Sequence, residues 1–233
     1  MLIAEIGQNH NGDFSLAKEL VYAAKESGAD IAKFQAYDAK SLFPKENNPW
    51  FEYNCSTELT HEQLVDLANL CNRIGIEFMA SPFDVKRVQW LEKIGVKRFK
   101  LASRSILDLE LIEEIKNTKK EVIVSLGFWT DETFPDYFDH ENTKYLYCVS
   151  KYPTSLRELK FTKNMFTKYD GFSDHTIGNS AVMVALTLGA KIIEKHFTLN
   201  KKMSGPDHAG SAEPDDFRQI KSFMRDLELI YGK

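Results

Sequence analysis

The sequence is poor in the features that identify secreted, zinc-ribbon and membrane proteins. It contains three cysteines, Cys55, Cys71 and Cys148, and no CxxC pair, so reduced thiols are expected and not a disulfide framework. No apolar run approaches the length of a membrane span, and Met1–Glu5 leads directly into a strand and not into a signal peptide. These absences predict a cytoplasmic protein without a membrane partner.

An excess of charge of either sign is also missing. The chain has 30 basic and 34 acidic residues, interspersed along its length, and a formal net charge of −4. Because no basic tract is present, a nucleic-acid partner is not expected. The GxGxxG fingerprint of dinucleotide-binding folds is absent after the first predicted strand, which argues against that class.

The sequence does contain a regular alternation of short apolar strands and helical segments. With 233 residues, 43% of them hydrophobic, the chain can bury one core of the size of an α/β barrel. The predicted strands are Leu2–Gly7, Asp30–Gln35, Ile76–Ala80, Arg98–Leu101, Glu121–Ser125, Lys144–Cys148, Tyr169–Phe172 and Lys191–Ile193. The predicted helices are Phe14–Ser27, Glu62–Ile74, Val85–Ile94, Leu107–Asn117, Ser180–Leu188 and Glu213–Tyr231, and Ser155–Phe166 is predicted as a helix or partial helix. This order predicts a single (β/α)8 TIM barrel over residues 1–233, with an open doubly wound sheet as the alternative.

Two segments fit this alternation poorly. Residues 37–60 have no clear hydrophobic period and contain Pro44 and Pro49, so a long loop is expected there. Residues 128–142 contain Pro135 and allow at most a short helix. Thr60 and Gln63, by contrast, predict a capping box at the start of the following helix.

Two histidines follow consecutive predicted strands near the end of the chain. His175 comes after Ser173-Asp174, and His196 comes after Glu194-Lys195. Right-handed crossovers make the ends of consecutive parallel strands neighbours, so the two imidazoles can share one metal ion and leave coordination positions open. The alternative is that each is a structural histidine held by hydrogen bonds. An acidic residue near each histidine, Asp174 and Glu194, argues against this alternative.

Polar side chains end nearly every predicted strand. The carboxyl ends of barrel strands form the rim where active sites are built, so these groups are expected to converge on one mouth. Lys33 and Lys100 lie inside apolar strands, where a buried ammonium needs an anionic partner. Together with nearby serines they predict a phosphate site; the alternative is that both lysines are simply exposed.

Several segments carry a resemblance to a known family. They are AEIGQNHNGD (Ala4–Asp13), GADIAKFQ (Gly28–Gln35), GIEFMASPFD (Gly75–Asp84), FKLAS (Phe99–Ser103), CVSKYPT (Cys148–Thr154), GFSDHTIG (Gly171–Gly178), GAKIIEKHFTL (Gly189–Leu199) and GPDH (Gly205–His208). They span almost the whole chain in order. The chain resembles the catalytic domain of the sialic acid synthase (N-acetylneuraminate synthase) family, which condenses phosphoenolpyruvate with an N-acetylated sugar.

The resemblance implies a role for each group of residues. A divalent metal, Mn²⁺ with Co²⁺ or Mg²⁺ as alternatives, is expected on His175 and His196. Catalytic and sugar-side roles are expected for Glu5, Tyr152 and Asp207, and either Glu5 or Asp207 could accept the proton of an attacking water. The residues expected to hold phosphoenolpyruvate are Lys33, Gln35, Ser81, Lys100, Ser103 and Ser173. A homodimer is expected.

Departures from the family pattern leave the acceptor sugar open. Arg104-Ser105 stands where family members usually have Gly and an acidic residue, and Ser125-Leu126-Gly127-Phe128 replaces Ser-Thr-Gly-Met. The family's C-terminal antifreeze-like domain is expected to be missing or to come from a separate covering domain or protein. The alternatives to an N-acetylated acceptor are a different, anionic acceptor held by Arg104, or a catalytically weak paralogue that binds a ligand or a partner.

Overall fold

The computed structural model describes residues 1–232. Eight parallel strands form one sheet in the order β3-β2-β1-β8-β7-β6-β5-β4, which curls into a nearly closed barrel. The strands are β1 Leu2–Gly7, β2 Ile31–Ala36, β3 Glu77–Pro82, β4 Arg98–Leu101, β5 Glu121–Ser125, β6 Thr143–Cys148, β7 Gly171–Asp174 and β8 Ile192–His196. The predicted TIM barrel is therefore confirmed, and the open doubly wound sheet is not.

Several of the helices begin or end at residues that cap them. They are α1 Phe14–Glu26, α2 Ala39–Leu42, α3 Phe51–Ser56, α4 His61–Ile74, α5 Val85–Ile94, α6 Leu109–Asn117, α7 Ser180–Thr187 and α8 Pro214–Tyr231. The predicted capping box of Thr60 and Gln63 starts α4, and Gly75 ends it in the left-handed conformation that glycine adopts at little cost. Asp13 accepts the amide hydrogens of Ser15 and Leu16 at the start of α1.

Two predictions about the connections differ from the structure. The expected long loop over residues 37–60 contains the short helices α2 and α3. The helix or partial helix expected over Ser155–Phe166 is reduced, within the described chain, to two 3₁₀ turns, Leu156–Glu158 and Met165–Thr167. Its aromatic residue Phe161 packs against Phe172 of β7, with ring centroids 5.1 Å apart, so an extended segment covers the barrel where a helix was expected.

Residue alternation along the strands divides the barrel interior into layers. The floor is an apolar cluster formed by Ile3, Ile31, Met79, Ile123, Leu146 and Ile192. Two residues further along each strand the inward positions become polar, since successive side chains of a strand point to opposite faces. This second layer contains Glu5, Lys33, Ser81, Lys100, Ser125, Cys148, Ser173 and Glu194, all buried. The polar residues that are candidates for the active site thus lie directly above an apolar layer that fills the barrel.

The seam between β3 and β4 is bridged by an arginine at the amino-terminal end of β4. The guanidinium of Arg98 donates from Nε to Oε1 of Glu77 on β3 at 2.7 Å and also pairs with Glu121 on β5. Three strands are therefore tied together at the end of the barrel opposite the polar layer.

Two further sequence expectations can be compared with the described residues. The three cysteines form no disulfide within residues 1–232. Within the same range, no helix is both long enough and apolar enough to span a membrane.

Candidate active site

One cavity of about 510 Å³ opens at the carboxyl ends of the strands. Each residue predicted to act in catalysis or to bind phosphoenolpyruvate or a metal lines it. These residues are Glu5, Lys33, Gln35, Ser81, Lys100, Ser103, Tyr152, Ser173, His175, His196 and Asp207. Together with Ser125 of β5, which also lines the cavity, they come from the carboxyl ends of all eight strands, as expected for the mouth of a barrel.

Lys33 lies at the bottom of the cavity and is only 3% exposed. Its ammonium Nζ is 2.7 Å from Oε2 of Glu5 and 3.4 Å from Oε2 of Glu194, and it donates to Oγ of Ser81 at 3.3 Å. Burial alone lowers the pKa of Lys33, but the carboxylates of Glu194 and Glu5 outweigh it, and the pKa is raised. Lys33 is therefore a buried and fully charged cation.

Lys100 is equally buried but less well compensated. It is 2% exposed and donates to Oγ of Ser125 at 2.7 Å and to the carbonyl oxygen of Leu101 at 3.1 Å. Oε1 of Glu194 is 3.9 Å away, and burial lowers the pKa of Lys100 more than Glu194 raises it. The alternative of two exposed surface lysines is wrong, and Lys100 is the cation that gains most from an added anion.

Glu5 is held in place by two side-chain partners. Besides pairing with Lys33, its Oε1 accepts a hydrogen bond from Nε2 of Gln35 at 2.8 Å. A bulge after Glu5 shifts the β1–β2 register, and Gly7 there has a φ of +52°, where an added Cβ would come within 3.1 Å of both Gln35 and Glu5. Glycine at this position therefore allows the two side chains to meet.

His175 has one ring nitrogen fixed by the backbone. Its Nδ1 is 2.9 Å from the carbonyl oxygen of Val149. A carbonyl can only accept, so Nδ1 carries the hydrogen and the neutral ring keeps a lone pair on Nε2. A backbone partner of this kind orients many metal-binding histidines.

His196 lies next to His175, with ring centroids 5.7 Å apart. Its buried Nδ1 has no hydrogen-bond partner within the described chain, and Oδ2 of Asp207 lies 3.8 Å from it. The ring of Tyr152 packs on His175, with centroids 4.1 Å apart. An unsatisfied buried nitrogen beside a second, oriented imidazole fits a metal ion.

The two imidazoles form a pair and not a larger ligand cluster. Among residues 1–232, no group of three His, Cys, Asp or Glu side chains is arranged to hold a metal. A metal on the pair would keep several coordination positions for water or substrate, as open catalytic sites do.

Ser103 is fixed by a close approach of the loop after β5. The amide of Gly127 donates to Oγ of Ser103 at 3.0 Å. A Cβ at Gly127 would lie 2.2 Å from Oγ of Ser150 and 3.0 Å from Sγ of Cys148. A side chain at position 127 would therefore displace Oγ of Ser150, so glycine there allows these side chains to keep their positions.

The outer wall of the cavity is aromatic and carries one cation. Arg104 is exposed, and its guanidinium carbon lies 5.2 Å from the ring centre of Phe43 and 6.0 Å from that of Phe83. Its Nη2 donates to the carbonyl oxygen of Leu42 at 3.4 Å, and no ion pair of Arg104 is found among the described residues. Ser105, expected near the acceptor, is buried and does not line the cavity.

Sequence reasoning assigned no role to several lining residues. They are Gln8, Phe43, Phe83, Phe128, Cys148 and Glu194. Glu194 and Cys148 could have been found from strand alternation, because each lies two residues beyond an apolar floor residue. Phe43 and Phe128 lie in segments without a hydrophobic period, and no sequence signal identifies them.

Buried ionisable groups at the carboxyl ends of the strands are typical of (β/α)8-barrel enzymes. Comparison with known proteins identifies the family within this class. The model of the NeuB family matches residues 20–233. N,N'-diacetyllegionaminic acid synthase of Legionella pneumophila is 37% identical over 260 residues, which cover 99% of this chain and 73% of that protein. The chain belongs to the NeuB family, and the expected membership of the sialic acid synthase family is confirmed.

Two further relatives agree with this membership. Human N-acetylneuraminate-9-phosphate synthase is 30% identical over 254 residues, covering 99% of this chain and 71% of the human protein. The crystal structure of N-acetylneuraminic acid (sialic acid) synthetase from Leptospira borgpetersenii superposes with a TM-score of 0.89 at 30% identity, covering 100% of this chain and 85% of that one. The chain is thus similar to synthases along its whole length.

Proposed function

We propose that this protein condenses phosphoenolpyruvate with an N-acetylated aldose to give a sialic-acid-like nonulosonic acid and phosphate. The single observation that carries the proposal is the cavity itself: two buried lysines and a histidine pair share one mouth in a barrel of the NeuB family. The names of the relatives, which are synthases of legionaminic and neuraminic acids, support this reaction class.

The inner layer of the cavity is suited to the phosphate and carboxylate of phosphoenolpyruvate. Lys33 and Lys100 supply charge-assisted hydrogen bonds, which are about twice as strong as neutral ones. The remaining groups proposed to hold this substrate are Gln35, Ser81, Ser103 and Ser173. All but Gln35 are buried, so water competes little for their hydrogen bonds.

The histidine pair is proposed to hold a divalent cation, with Mn²⁺ as first choice and Co²⁺ or Mg²⁺ as alternatives. When bound, such an ion supplies a Lewis acid for the carbonyl group of the acceptor. The chain's own contribution is orientation: the carbonyl of Val149 fixes the tautomer of His175, and Tyr152 packs against both imidazole rings.

The methylene carbon of phosphoenolpyruvate attacks the aldehyde carbon of the open-chain sugar. The C=O π electrons go to the aldehyde oxygen, which takes up a proton, and positive charge is left on C2 of phosphoenolpyruvate. Water adds at C2 and gives one proton to a carboxylate. The C2–O bond to phosphate then breaks, phosphate leaves with the bonding electrons, and the C2 hydroxyl loses its proton to give the keto group. Glu5 and Asp207 are the two candidates for that carboxylate. Glu5 lies beside Lys33, whereas Asp207 lies beside His196.

A second candidate acceptor is an anionic sugar. Arg104 has no ion-pair partner within residues 1–232, and it sits at the outer wall of the cavity. A guanidinium in this position can bind a phosphate or carboxylate through a two-pronged hydrogen bond. The human relative is named N-acetylneuraminate-9-phosphate synthase, and this name supports including a phosphorylated acceptor among the candidates.

A panel of aldoses with phosphoenolpyruvate, followed by release of inorganic phosphate, tests the proposal. Phosphate release that depends on both the aldose and a divalent metal is expected for at least one N-acetylated or anionic sugar. Phosphoenolpyruvate binding without release for any aldose would contradict the proposed reaction and favour a ligand-binding paralogue. Light scattering of the same sample would test the predicted homodimer.

A further inference from the structure

Glu194 is a buried acid to which the proposed reaction gives no role. It is 6% exposed, and its Oε1 accepts the hydroxyl hydrogen of Ser173 at 2.8 Å. It is also within 4 Å of the ammonium groups of both lysines, at 3.4 Å from Lys33 and 3.9 Å from Lys100. This carboxylate is therefore buried between two cations that are themselves expected to bind an anion.

The formal charges of the inner layer cancel without any ligand. Lys33 and Lys100 contribute two positive charges, and Glu5 and Glu194 contribute two negative charges. Glu5 is already engaged by Lys33 at 2.7 Å and by Gln35 at 2.8 Å. Among the described residues, Glu194 is the carboxylate that lies within 4 Å of both lysine ammonium groups. Its negative charge therefore sets the net positive charge that an entering anion encounters.

We propose that Glu194 is an internal counter-ion that occupies the electrostatic place of the substrate's phosphate and thereby weakens the binding of simple anions. This inference rests on the proposed function, because it takes the lysine pair to be the phosphate site. Glu194 is a positioning residue: it acts on the substrate through the two ammonium groups.

Two features of the layer support this role. Lys100 is held at hydrogen-bond distance by Ser125 and Leu101, while Glu194 remains at 3.9 Å, so its pairing with Glu194 is loose enough to be exchanged for a phosphate oxygen. The carboxylate of Glu194 also faces both ammonium groups, with Oε2 at 3.4 Å from Nζ of Lys33 and Oε1 at 3.9 Å from Nζ of Lys100. It therefore lies where the oxygens of an incoming anion would pair with the lysines, and it competes with them.

The consequence concerns selectivity and release. A substrate that carries both a phosphate and a carboxylate makes more contacts with the cavity than free phosphate, so it overcomes the opposing charge more easily. Inorganic phosphate is the leaving group of the proposed reaction, and a resident carboxylate returns to the lysines as phosphate leaves. Glu194 thus reduces occupation of the lysine site by inorganic phosphate, a product of the proposed reaction.

Calorimetric titration of inorganic phosphate into wild type and Glu194→Gln, without metal, tests the inference. Glutamine keeps the size of the side chain and an acceptor for Ser173 but removes the charge. The Kd for phosphate is expected to fall at least about tenfold, since the substitution removes the repulsion of one unit charge a few ångström away, which acts through an effective dielectric of about 20. Glu194→Asp, which keeps the charge, should stay within about threefold of wild type.

Two controls separate the possible failures. Asp174→Asn breaks another buried carboxylate–lysine pair on the same two strands, Asp174 with Lys195 at 2.5 Å, and is expected to leave the Kd for phosphate unchanged. Lys33→Ala should weaken phosphate binding. If Lys33→Ala and Lys100→Ala do not change the Kd for phosphate, the lysine site of the proposed function is wrong.

Unchanged or weaker phosphate binding by Glu194→Gln, with the lysine variants behaving as expected, would overturn the counter-ion role alone. If Glu194→Gln is only marginally folded, its thermal midpoint is measured with increasing phosphate. The midpoint should then rise more steeply than that of wild type, because phosphate replaces the missing negative charge. An equal or smaller rise would also overturn the inference.

Discussion

The inner and outer parts of the cavity differ in how they are built. The inner layer consists of strand residues that are nearly all buried and hydrogen-bonded to one another, such as Lys33, Lys100 and Glu194. The outer wall consists of residues in loops and short turns, such as Arg104, Phe128 and Tyr152, which are largely exposed.

This difference separates two tasks within one site. Strand residues are fixed on both sides by neighbouring strands, so they suit a phosphate site that must hold one geometry. Loop residues can be replaced without disturbing the barrel, so they suit the choice of the acceptor. We therefore expect the inner layer to decide whether the protein reacts at all, and the outer wall to decide with which sugar.

The largest expected effect is at the histidine pair. His175→Ala and His196→Ala should each lower kcat/KM by at least about 10³-fold, because a Lewis acid contributes several kcal/mol to such a reaction. Chelation should abolish turnover of the wild type, and Mn²⁺ or Co²⁺ should restore it. His61→Ala, on α4 and outside the cavity, is the control. Full activity in folded variants of His175 and His196 would remove the metal assignment.

The next effect tests whether the loops at the rim are as firmly packed as the inner layer. His10, in the loop after β1, is 2% exposed, and burial lowers its pKa to about 4. The unfolded chain takes up this proton near pH 6.5 and the folded chain does not, so stability present above pH 6.5 is lost as the pH falls toward 4. The loss should reach about 3 kcal/mol.

Chemical denaturation between pH 7 and pH 4 measures this loss. His10→Asn keeps an acceptor for the amide of Gly12 but cannot titrate in this range, so its stability should depend less on pH than that of wild type. Parallel curves for the two proteins would mean that the His10 loop opens readily and that the rim is looser than its burial indicates.

Loss of either inner lysine should weaken phosphoenolpyruvate binding. Lys33→Ala and Lys100→Ala are expected to cost about 1.5–3 kcal/mol each, the scale of a hydrogen bond to a charged group. Calorimetric titration measures this directly. Lys120→Ala, at the opposite end of the barrel where the lysine pairs with Glu92, serves as control. Unchanged affinity in both inner variants would return the two lysines to a structural role.

The smallest effect is expected at the outer wall. Arg104→Ala should lower kcat/KM for N-acetylmannosamine 6-phosphate about three- to tenfold, because an exposed pair is partly screened by water, and should change that for neutral N-acetylmannosamine less than twofold. Arg157→Ala, another exposed arginine outside the cavity, is the control. Equal losses for both sugars would show that Arg104 does not select the acceptor.

The rate of the wild-type protein with a neutral sugar also tests the role of the outer wall in the choice of acceptor. We expect kcat/KM for N-acetylmannosamine to lie below about 10⁴ M⁻¹s⁻¹, since neither the exposed wall nor Arg104 favours a neutral acceptor. A higher value would mean that the Arg104-Ser105 departure has no effect on acceptor choice. The predicted covering domain or protein would then be unnecessary for activity with this sugar.

The sequence by itself determined the barrel and most of the site residues in its inner layer. Strand alternation places Lys33 two residues after Ile31 and Glu194 two residues after Ile192, on the same face of their strands. Only the structure showed that this face points into the barrel and that Glu194 belongs to the site. The ends Val85 and Ile94 of α5 were likewise predicted correctly, because capping residues and the helical period are local signals.

Only the tertiary structure decided the outer wall and the connections after β5 and β6. Phe161 packs on Phe172 and Phe134 on Tyr145, with ring centroids 5.1 and 4.8 Å apart. Irregular segments therefore cover these strands, where a helix or partial helix was expected after β6 and at most a short helix after β5. Phe43 lines the cavity, and the guanidinium of Arg104, 61 positions further along the chain, lies against its ring. Contacts between distant segments leave no periodic trace in the sequence, since their free energy depends on the packed barrel that brings the segments together.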